Sequence, residues 1–300
     1  MIVSARLNDF LDQAQALLVR LEPLLPTSAQ PVDWESALAA RWQREGRHGT
    51  LIPLQVSLDM RLSDLIGVDG QREQLARNTR QFVAGLPANH ALLWGARGTG
   101  KSSLVRALLA EHAQAGLRLI EIERDHLADL PRVVEQLVGL PQRFVLFCDD
   151  LSFEAGEGDY RVLKSVLDGS LERAPDNVLL YATSNRRHLV PEKQVDNGNW
   201  QLVEGEVHPS EAVEDKIALS DRFGLWLSFY PFTQDHYLEV VRHWISVLAE
   251  PTRLPWNWDE SLEKAAIRWA QGRGNRNGRC AYQFARNWVG LQLLEVPQGL

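Results

Sequence analysis

The sequence is poor in cysteine, has no long apolar run and carries no excess of positive charge. Its 300 residues include only two cysteines, Cys148 and Cys280, which are too few for a disulfide framework and indicate a reducing compartment such as the cytoplasm. No uncharged apolar run approaches the roughly 20 residues that a membrane span requires, so we expect no span. The net charge of -7 disfavours a generally basic nucleic-acid binder, although a local basic patch stays compatible with it.

The first 54 residues have a helical pattern of their own. Between residues 5 and 25 apolar side chains recur at helical spacing, and the charges among them argue against a signal peptide. Pro26 ends this pattern, and a second helix is predicted from about Trp34 to Trp42, before glycines interrupt it. Residues 1–54 are therefore expected to form a small helical appendage that lies outside any sheet.

Short apolar runs of strand length alternate with helical patterns over residues 55–232. Such alternation indicates a parallel sheet with helices on both faces, so we predict an α/β core of about five parallel strands. Beyond this core, residues 233–300 show three helix candidates, the first starting near Thr233, which predicts a small helical bundle. The five strand candidates are residues 89–94, 117–123, 143–150, 177–185 and 225–232.

A glycine-rich motif follows the first strand candidate and opens the next helix. The run GARGTGKS matches the phosphate-binding pattern G-x-x-x-x-G-K-[ST], in the strand-to-helix context that the pattern requires. Glycines let backbone N–H groups turn inward around phosphates, Lys101 would neutralise the β- and γ-phosphates, and Ser102 would help to hold Mg²⁺. We therefore predict a site for ATP and Mg²⁺ formed by Gly95, Ala96, Arg97, Gly98, Thr99, Gly100, Lys101, Ser102 and Ser103.

Two aspartates end the apolar strand candidate RFVLFCDD. We assign Asp149 to Mg²⁺, because an acid at this point reaches the metal while the apolar run stays in the sheet. Asp150 would then polarise the attacking water, with Glu154 as the alternative residue for that role. A pair of acids that merely caps the next segment is the simpler structural interpretation, and the phosphate-binding motif upstream favours the catalytic one.

Taken in order, these motifs resemble an AAA+ ATPase, and the resemblance covers residues 55–300. The segment LIGVDGQREQL is similar to the one that touches adenine in that family, which implicates Ile66 and Gly67. In YATSN, Asn185 stands where the family has the polar residue called sensor 1, which would hold the attacking water near the γ-phosphate. The resemblance also implies that the helical bundle is a lid over the nucleotide.

The same resemblance gives roles to arginines later in the chain. LSDRFG is similar to the segment with the arginine finger, which would be Arg222; a surface arginine paired with Asp215 or Asp221 is the structural alternative. GNRNGRCAYQF is similar to the segment with sensor 2, and we favour Arg279 over Arg276 because a helical pattern continues directly after it. A finger completes a neighbour's site, so the resemblance implies a homo-oligomer, by family habit a hexamer, with an unknown protein client.

Four segments resemble, more narrowly, a bacterial AAA+ family that has no assigned cellular role: LSDLIGVDGQ, FCDDLSFE, SNRRHLVPE and LSDRFGLWLSF. One departure from AAA+ ATPases is Asp150, where glutamate is usual. Aspartate is one methylene shorter, and general-base geometry is sensitive to such a displacement. An ATP-dependent scaffold or switch with little hydrolysis is therefore the alternative to an ATPase. A small-molecule phosphotransferase is a third interpretation, because P-loop kinases share the first motif.

Two further segments bear on the partners. The arginine-rich run RWAQGRGNRNGR is compatible with nucleic-acid phosphates, but the acidic chain favours other partners. Residues 186–219 form a polar segment longer than normal connections, which is either a loop or an insertion that contacts a partner.

Overall fold

The fold is built on a seven-stranded sheet. The computed structural model describes residues 31–46, 48–151, 175–185, 200–203, 206–209 and 222–295, with the single positions 15, 163 and 167. The strands there are β1 (Ala39–Glu45), β2 (His48–Leu54), β3 (Ala91–Gly95), β4 (Leu117–Glu121), β5 (Arg143–Cys148), β6 (Val178–Ser184), β7 (Trp200–Val203), β8 (Glu206–Pro209) and β9 (Leu225–Phe229). The large sheet has the order β2-β1-β4-β5-β6-β3-β9, and β7 with β8 forms a separate hairpin within the polar segment 186–219. Every neighbouring pair in the large sheet is parallel except β1 with β2.

Helices cover both faces of this sheet, as the alternating pattern predicts. In the described residues they are α1 (Asp69–Val83), α2 (Lys101–His112), α3 (Leu130–Glu135), α4 (Gln234–Ala249), α5 (Glu260–Gly272) and α6 (Gly278–Glu295). One apolar cluster contains Leu146 of β5 with Leu130 and Val133, and the other contains Phe147 of β5 with Leu108 of α2. Successive residues of β5 thus face opposite layers. The five predicted parallel strands are present as β3, β4, β5, β6 and β9, which confirms the α/β fold class.

The order of the strands positions the functional site. Strands β5, β6 and β3 are neighbours in the sheet and run parallel, so their carboxyl ends lie side by side. In open parallel sheets, ligands bind in the crevice outside these carboxyl ends. The phosphate-binding motif follows β3, the aspartate pair follows β5, and Asn185 follows β6. Residues that are distant in sequence are therefore brought to one edge of the sheet.

The amino-terminal region differs from its prediction. The helix expected from Trp34 to Trp42 was wrong: from Ala39 onward these residues form β1, which pairs with β4 and β2, so residues 39–45 and 48–54 belong to the sheet. Ala40 and Trp42 are buried in one apolar cluster while Ala39 is buried in the other, which is the alternation of a strand. The Trp42 indole also donates to Asp129 at 3.1 Å. The helix predicted over residues 5–25 lies, apart from position 15, outside the described residues.

The three carboxy-terminal helices pack around an apolar core of their own. Tyr237 and Ile245 of α4 are fully buried there together with Ala266 of α5 and Ala281 of α6. As predicted, the Thr233 hydroxyl caps α4, since it accepts the backbone N–H of His236 at 3.2 Å. We call residues 233–295, which contain helices α4, α5 and α6 and the segments that connect them, the lid.

Partial burial of one histidine is expected to make the stability of the protein depend on pH. It lowers the pKa of His90 to about 4, and the Nδ1 atom of His90 accepts the backbone N–H of Leu180 on β6 at 2.9 Å. An unfolded chain protonates histidine near pH 6.5, so between about pH 6.5 and pH 4 the unfolded state binds a proton that the folded state does not. Stability is therefore expected to fall as the pH drops through this window, by about 2 kcal/mol at pH 5 from His90 alone.

Urea unfolding at pH 7.5 and pH 5 checks this expectation. His90→Gln keeps a neutral polar side chain but cannot be protonated, so its free energy of unfolding should lose about 2 kcal/mol less than that of the unaltered protein over the same pH change. An equal loss in both proteins would contradict the assignment to His90.

Candidate functional site

The phosphate-binding loop, residues 95–102, connects β3 to α2. Gly95, Gly98 and Gly100 all have φ in the left-handed region, which suits glycine, and Gly100 directly precedes the first turn of α2. Lys101 is the first residue of α2 and is buried, with 6% of its surface exposed. The loop therefore presents a helix N-terminus and a cation at one point, and both favour an anion.

The Lys101 ammonium is the centre of this arrangement. Its Nζ donates to the carbonyl oxygens of Gly95 and Ala96, each at 2.7 Å, and to Oδ1 of Asn185 at 3.4 Å. Burial lowers the pKa of Lys101 to about 8, although the charges of Asp149 and Asp150 oppose this shift. The lysine is thus a partly desolvated cation that a phosphate group would stabilise.

Asp149 joins the start of α2 to strand β6. Its Oδ1 accepts hydrogen bonds from the Ser102 hydroxyl at 2.7 Å and from the Thr183 hydroxyl at 2.6 Å. Mg²⁺ is commonly held by one or two protein oxygens, and phosphates and waters complete its octahedron. The adjacent oxygens of Ser102 and Asp149 fit such a site. Among the described residues no group of three or more His, Cys, Asp or Glu is placed to hold a metal ion.

Asp150 has an unusual backbone and two side-chain partners. Its φ of 56° is uncommon for a residue with a Cβ, and its N–H donates to the Thr183 hydroxyl at 2.9 Å. The Asn185 amide donates to Oδ1 of Asp150, and the Arg97 guanidinium lies 3.5 Å from Oδ2. Backbone conformations of this kind persist where surrounding contacts hold them, often at functional sites. The structure therefore brings the predicted base and sensor 1 into direct contact.

Thr183 is a site residue that the sequence reasoning missed. Its hydroxyl contacts both aspartates: it donates a hydrogen bond to the Asp149 carboxylate and accepts one from the backbone N–H of Asp150. Thr183 precedes Asn185 by two positions, and alternate residues of a strand share a face. This spacing could have identified it once β6 was recognised.

Asn277 is the second residue that was missed, and it belongs to the lid. Its side-chain amide donates to the carbonyl oxygen of Arg97 at 3.1 Å, and the next residue, Gly278, donates from its backbone to the carbonyl oxygen of Gly98 at 2.9 Å. The two sensor 2 candidates, Arg276 and Arg279, flank this contact and are exposed. No pattern in the sequence distinguishes Asn277 from its neighbours.

The predicted adenine segment also contacts the lid. The His236 ring nitrogen Nε2 lies 2.8 Å from the carbonyl oxygen of Ile66, and the ring stacks on Phe232 with centroids 3.9 Å apart. A Cβ on Gly67 would overlap this imidazole. Ile66 and Gly67 thus lie between core and lid, where a base could be enclosed, and their role toward adenine stays a prediction.

One chain of hydrogen bonds, which passes through Thr183, connects five of the predicted site residues: Lys101, Asn185, Asp150, Asp149 and Ser102. Arg222 lies half-buried in a turn just before β9, and its predicted role in a neighbour's site stays a prediction. Glu154, the alternative base, is outside the described residues. No helix within the described ranges is long and apolar enough to cross a membrane.

Comparison with known proteins places the chain in a family. Residues 35–292 match the family model described as "Protein of unknown function (DUF815)", so the chain belongs to that family. No curated protein matches its sequence.

Solved structures show the fold. The chain is similar to the RuvB Holliday junction branch migration motor of Thermotoga maritima, with 16% identity and a TM-score of 0.50, and to a single-substitution variant of it, with 15% identity and 0.54. Each match covers 78% of this chain and 66% of the RuvB chain, just under two thirds of its length. The Orc1 protein of Aeropyrum pernix, solved in complex with DNA, matches at 16% identity and 0.51, over 78% of this chain and 64% of its own. The fold is that of the AAA+ ATPases, as the motifs predicted.

Proposed function

We propose that this member of the DUF815 family binds ATP with Mg²⁺ and hydrolyses it at sites shared between the subunits of a homo-oligomer. The observation that supports this function best is the hydrogen-bonded network at one edge of the sheet, in which Asn185 joins Lys101 to Asp150 and Thr183 joins Asp150 to Asp149. ATP hydrolysis of the AAA+ type needs a cation for the phosphates, a carboxylate for the metal and a general base positioned to take a proton from the attacking water.

Each residue has a role in this proposal. The loop N–H groups and Lys101 bind the phosphates, and Ser102 with Asp149 holds Mg²⁺, which neutralises charge on the β- and γ-phosphates when bound. Asp150 accepts a proton from the attacking water, and Asn185 orients the Asp150 carboxylate and this water. Asn185 already contacts Lys101 and Asp150, so it links the phosphate end of the site to the base.

Two arginines complete the proposed site. Arg222 reaches the γ-phosphate in a neighbouring subunit, and Arg279 senses it from the lid, with Arg276 as the alternative. Hydrolysis would then change the angle between lid and core and so move a partner bound to the oligomer. We infer a protein client for this step.

A nucleic-acid partner is the competing inference, and one observation favours it. No acidic residue occurs between Glu263 and Glu295 in the sequence, whereas six cations do, and the exposed Arg273 stacks on Trp269 at 3.7 Å. RuvB and Orc1 are described as a branch migration motor and as a DNA complex, respectively. We nevertheless favour a protein client, because the net charge is -7 and because Arg276 or Arg279 is assigned to the nucleotide in this proposal.

An ATP-dependent scaffold with little hydrolysis is the second candidate function. Asp150 is shorter than the usual glutamate, and both of its carboxylate oxygens have partners, Asn185 and Arg97. A carboxylate that is held in this way is a poor base until one partner leaves. The scaffold would bind ATP tightly and turn it over slowly.

The ATPase rate per subunit, measured with Mg²⁺ over a wide range of protein concentration, separates these functions. Sites completed by neighbours predict a rate that climbs with concentration, because Arg222 must come from another subunit. A rate near zero at every concentration, with ATP bound, would favour the scaffold, and an absence of ATP binding would contradict both. Asp150→Asn, purified in parallel, controls for contaminating ATPases and should be about 10²–10⁴ times slower than the unaltered protein.

A further inference from the structure

The carbonyl groups of the phosphate-binding loop have partners from two different elements. Those of Gly95 and Ala96, in the first half of the loop, accept from Lys101 Nζ. Those of Arg97 and Gly98, in the second half, accept from the lid, through the Asn277 amide and the Gly278 backbone. A phosphate that binds Lys101 would compete with the first pair of bonds only. The second pair would persist with nucleotide bound and would connect the loop to the lid.

Asn277 uses both ends of its amide. Its Nδ2 donates to the loop, while its Oδ1 accepts the backbone N–H of Cys280 at 2.9 Å and so caps the first turn of α6. The side chain is buried, with 8% of the residue exposed. The loop contact and the start of the lid helix therefore depend on one rigid group.

Gly98 is what permits this approach. It has φ of 76°, and a Cβ built on it would overlap the Asn277 amide. The left-handed backbone turns the carbonyl of Gly98 toward the lid, where Gly278 donates to it. When consecutive loop carbonyls point outward to the lid, their N–H groups are available to face inward, which is the geometry of an anion-binding nest.

We propose that Asn277 is a positioning residue that ties the phosphate-binding loop to helix α6, so that the shape of the loop and the position of the lid change together when nucleotide binds. The proposal rests on the proposed function, because it requires that the loop binds a nucleotide. The lid prepares the loop for phosphate, and phosphate in turn holds the lid. Preorganisation of this kind raises affinity because the loop loses less freedom on binding.

Asn277→Ser separates the two uses of the amide. Serine is neutral and is a good helix cap, but it is shorter and carries no amide to reach the Arg97 carbonyl. We expect the variant to melt close to the unaltered protein, because a cap remains. It should bind a fluorescent ADP analogue with Mg²⁺ about tenfold more weakly, because the loop is no longer preorganised and loses more freedom on binding.

Hydrogen–deuterium exchange with and without Mg²⁺ and ADP tests the coupling itself. In the unaltered protein, ADP should protect both the loop amides and the first turns of α6. In Asn277→Ser at saturating ADP, the loop amides should still be protected, while the added protection of α6 is lost. A residue that merely stabilised the lid would change the exchange of α6 equally with and without ADP.

Asp259→Ala is the matched control. Asp259 caps α5, where its Oδ1 accepts the backbone N–H of Leu262 at 2.8 Å, in a part of the lid that does not include the loop contact. This variant should melt a few degrees lower, since it loses a cap, and should keep the affinity for ADP and the response of α6.

The outcomes are distinct. Unchanged affinity together with an unchanged α6 response in Asn277→Ser would overturn the proposal, as would an unaltered protein that binds ADP without any response in α6. If the unaltered protein binds no nucleotide, the proposed function fails first. Should Asn277→Ser fold poorly, Asn277→Asp keeps a strong cap without an amide donor. For Asn277→Asp only the change in α6 exchange on ADP binding is compared with that of the unaltered protein, because the negative charge of the aspartate also weakens ADP binding. A retained α6 response overturns the proposal.

Discussion

Lys101→Ala is expected to reduce ATP hydrolysis by at least about 10³-fold, since it removes the cation that the phosphate-binding loop directs at the β- and γ-phosphates. In the structure this ammonium is buried and bonded to two loop carbonyls and to Asn185, which fixes its position at the phosphate end of the site. Binding of ATP should weaken as well. Steady-state hydrolysis and titration with a fluorescent ATP analogue would measure the two effects separately.

The loss should be chemical and not a loss of folding. Burial lowers the pKa of Lys101 to about 8, below its ordinary 10.5, so at pH 7 the charged lysine is less stable in the folded protein than in the unfolded chain. Its removal is therefore not expected to lower the melting temperature. Lys101→Arg is the companion variant, because it keeps the charge but replaces a point cation with a wider planar group. Full activity in Lys101→Ala would contradict the assignment of the loop.

Arg222→Ala is expected to lower the rate of hydrolysis by about 10³–10⁵ while ATP binding stays nearly unchanged. The reason is that an arginine finger acts on charge that develops on the γ-phosphate in the transition state, and not on the bound ground state. Arg222 lies in the turn before β9, which pairs in parallel with β3. This turn is at the amino end of the two strands, whereas the phosphate-binding loop follows the carboxyl end of β3, in keeping with a role toward another subunit. Rate and affinity, measured on one preparation, distinguish a finger from a binding residue.

Mixing the two inactive variants tests whether sites are shared. In a random mixture, a Lys101→Ala subunit supplies an intact Arg222 to an Arg222→Ala neighbour with an intact loop, so about a quarter of the sites should be complete. Activity should therefore reappear on mixing equal amounts. If it never does, at concentrations where the unaltered protein is active, Arg222 acts within its own subunit or only in folding. Arg222→Lys in place of Arg222→Ala controls for the loss of charge.

Local sequence order was sufficient for much of the core. The phosphate-binding loop was identifiable because its chemistry depends on consecutive residues, with glycines for the turn and a lysine and serine at the helix start. Asp149, Asp150 and Asn185 were identifiable because each follows a short apolar run whose place among alternating strand and helix patterns indicated a buried strand. Parallel strands end at a common edge, so residue order alone places these three side chains in a shared site.

The amino-terminal strands show where local pattern was insufficient. Residues 34–42 contain apolar side chains at spacings that fit a helix as well as a strand, and short runs of this kind are ambiguous. Partners decide the outcome: β4 offers a free edge for pairing, and Asp129 accepts the indole N–H of Trp42. Because those partners lie far away in sequence, the pattern alone favoured the wrong element.

Distance along the chain also explains which site residues could be predicted from the sequence and which could not. Residue order identified the groups that we propose for phosphate, metal and water, since each belongs to a short motif with its own chemistry. The roles of Thr183 and Asn277 depend on contacts between segments up to 180 positions apart, between Asn277 and Arg97. The left-handed backbone of Asp150 likewise depends on Thr183 and Asn185 from the neighbouring strand. Motifs carry chemistry in consecutive residues, whereas packing alone brings separate elements within hydrogen-bonding distance.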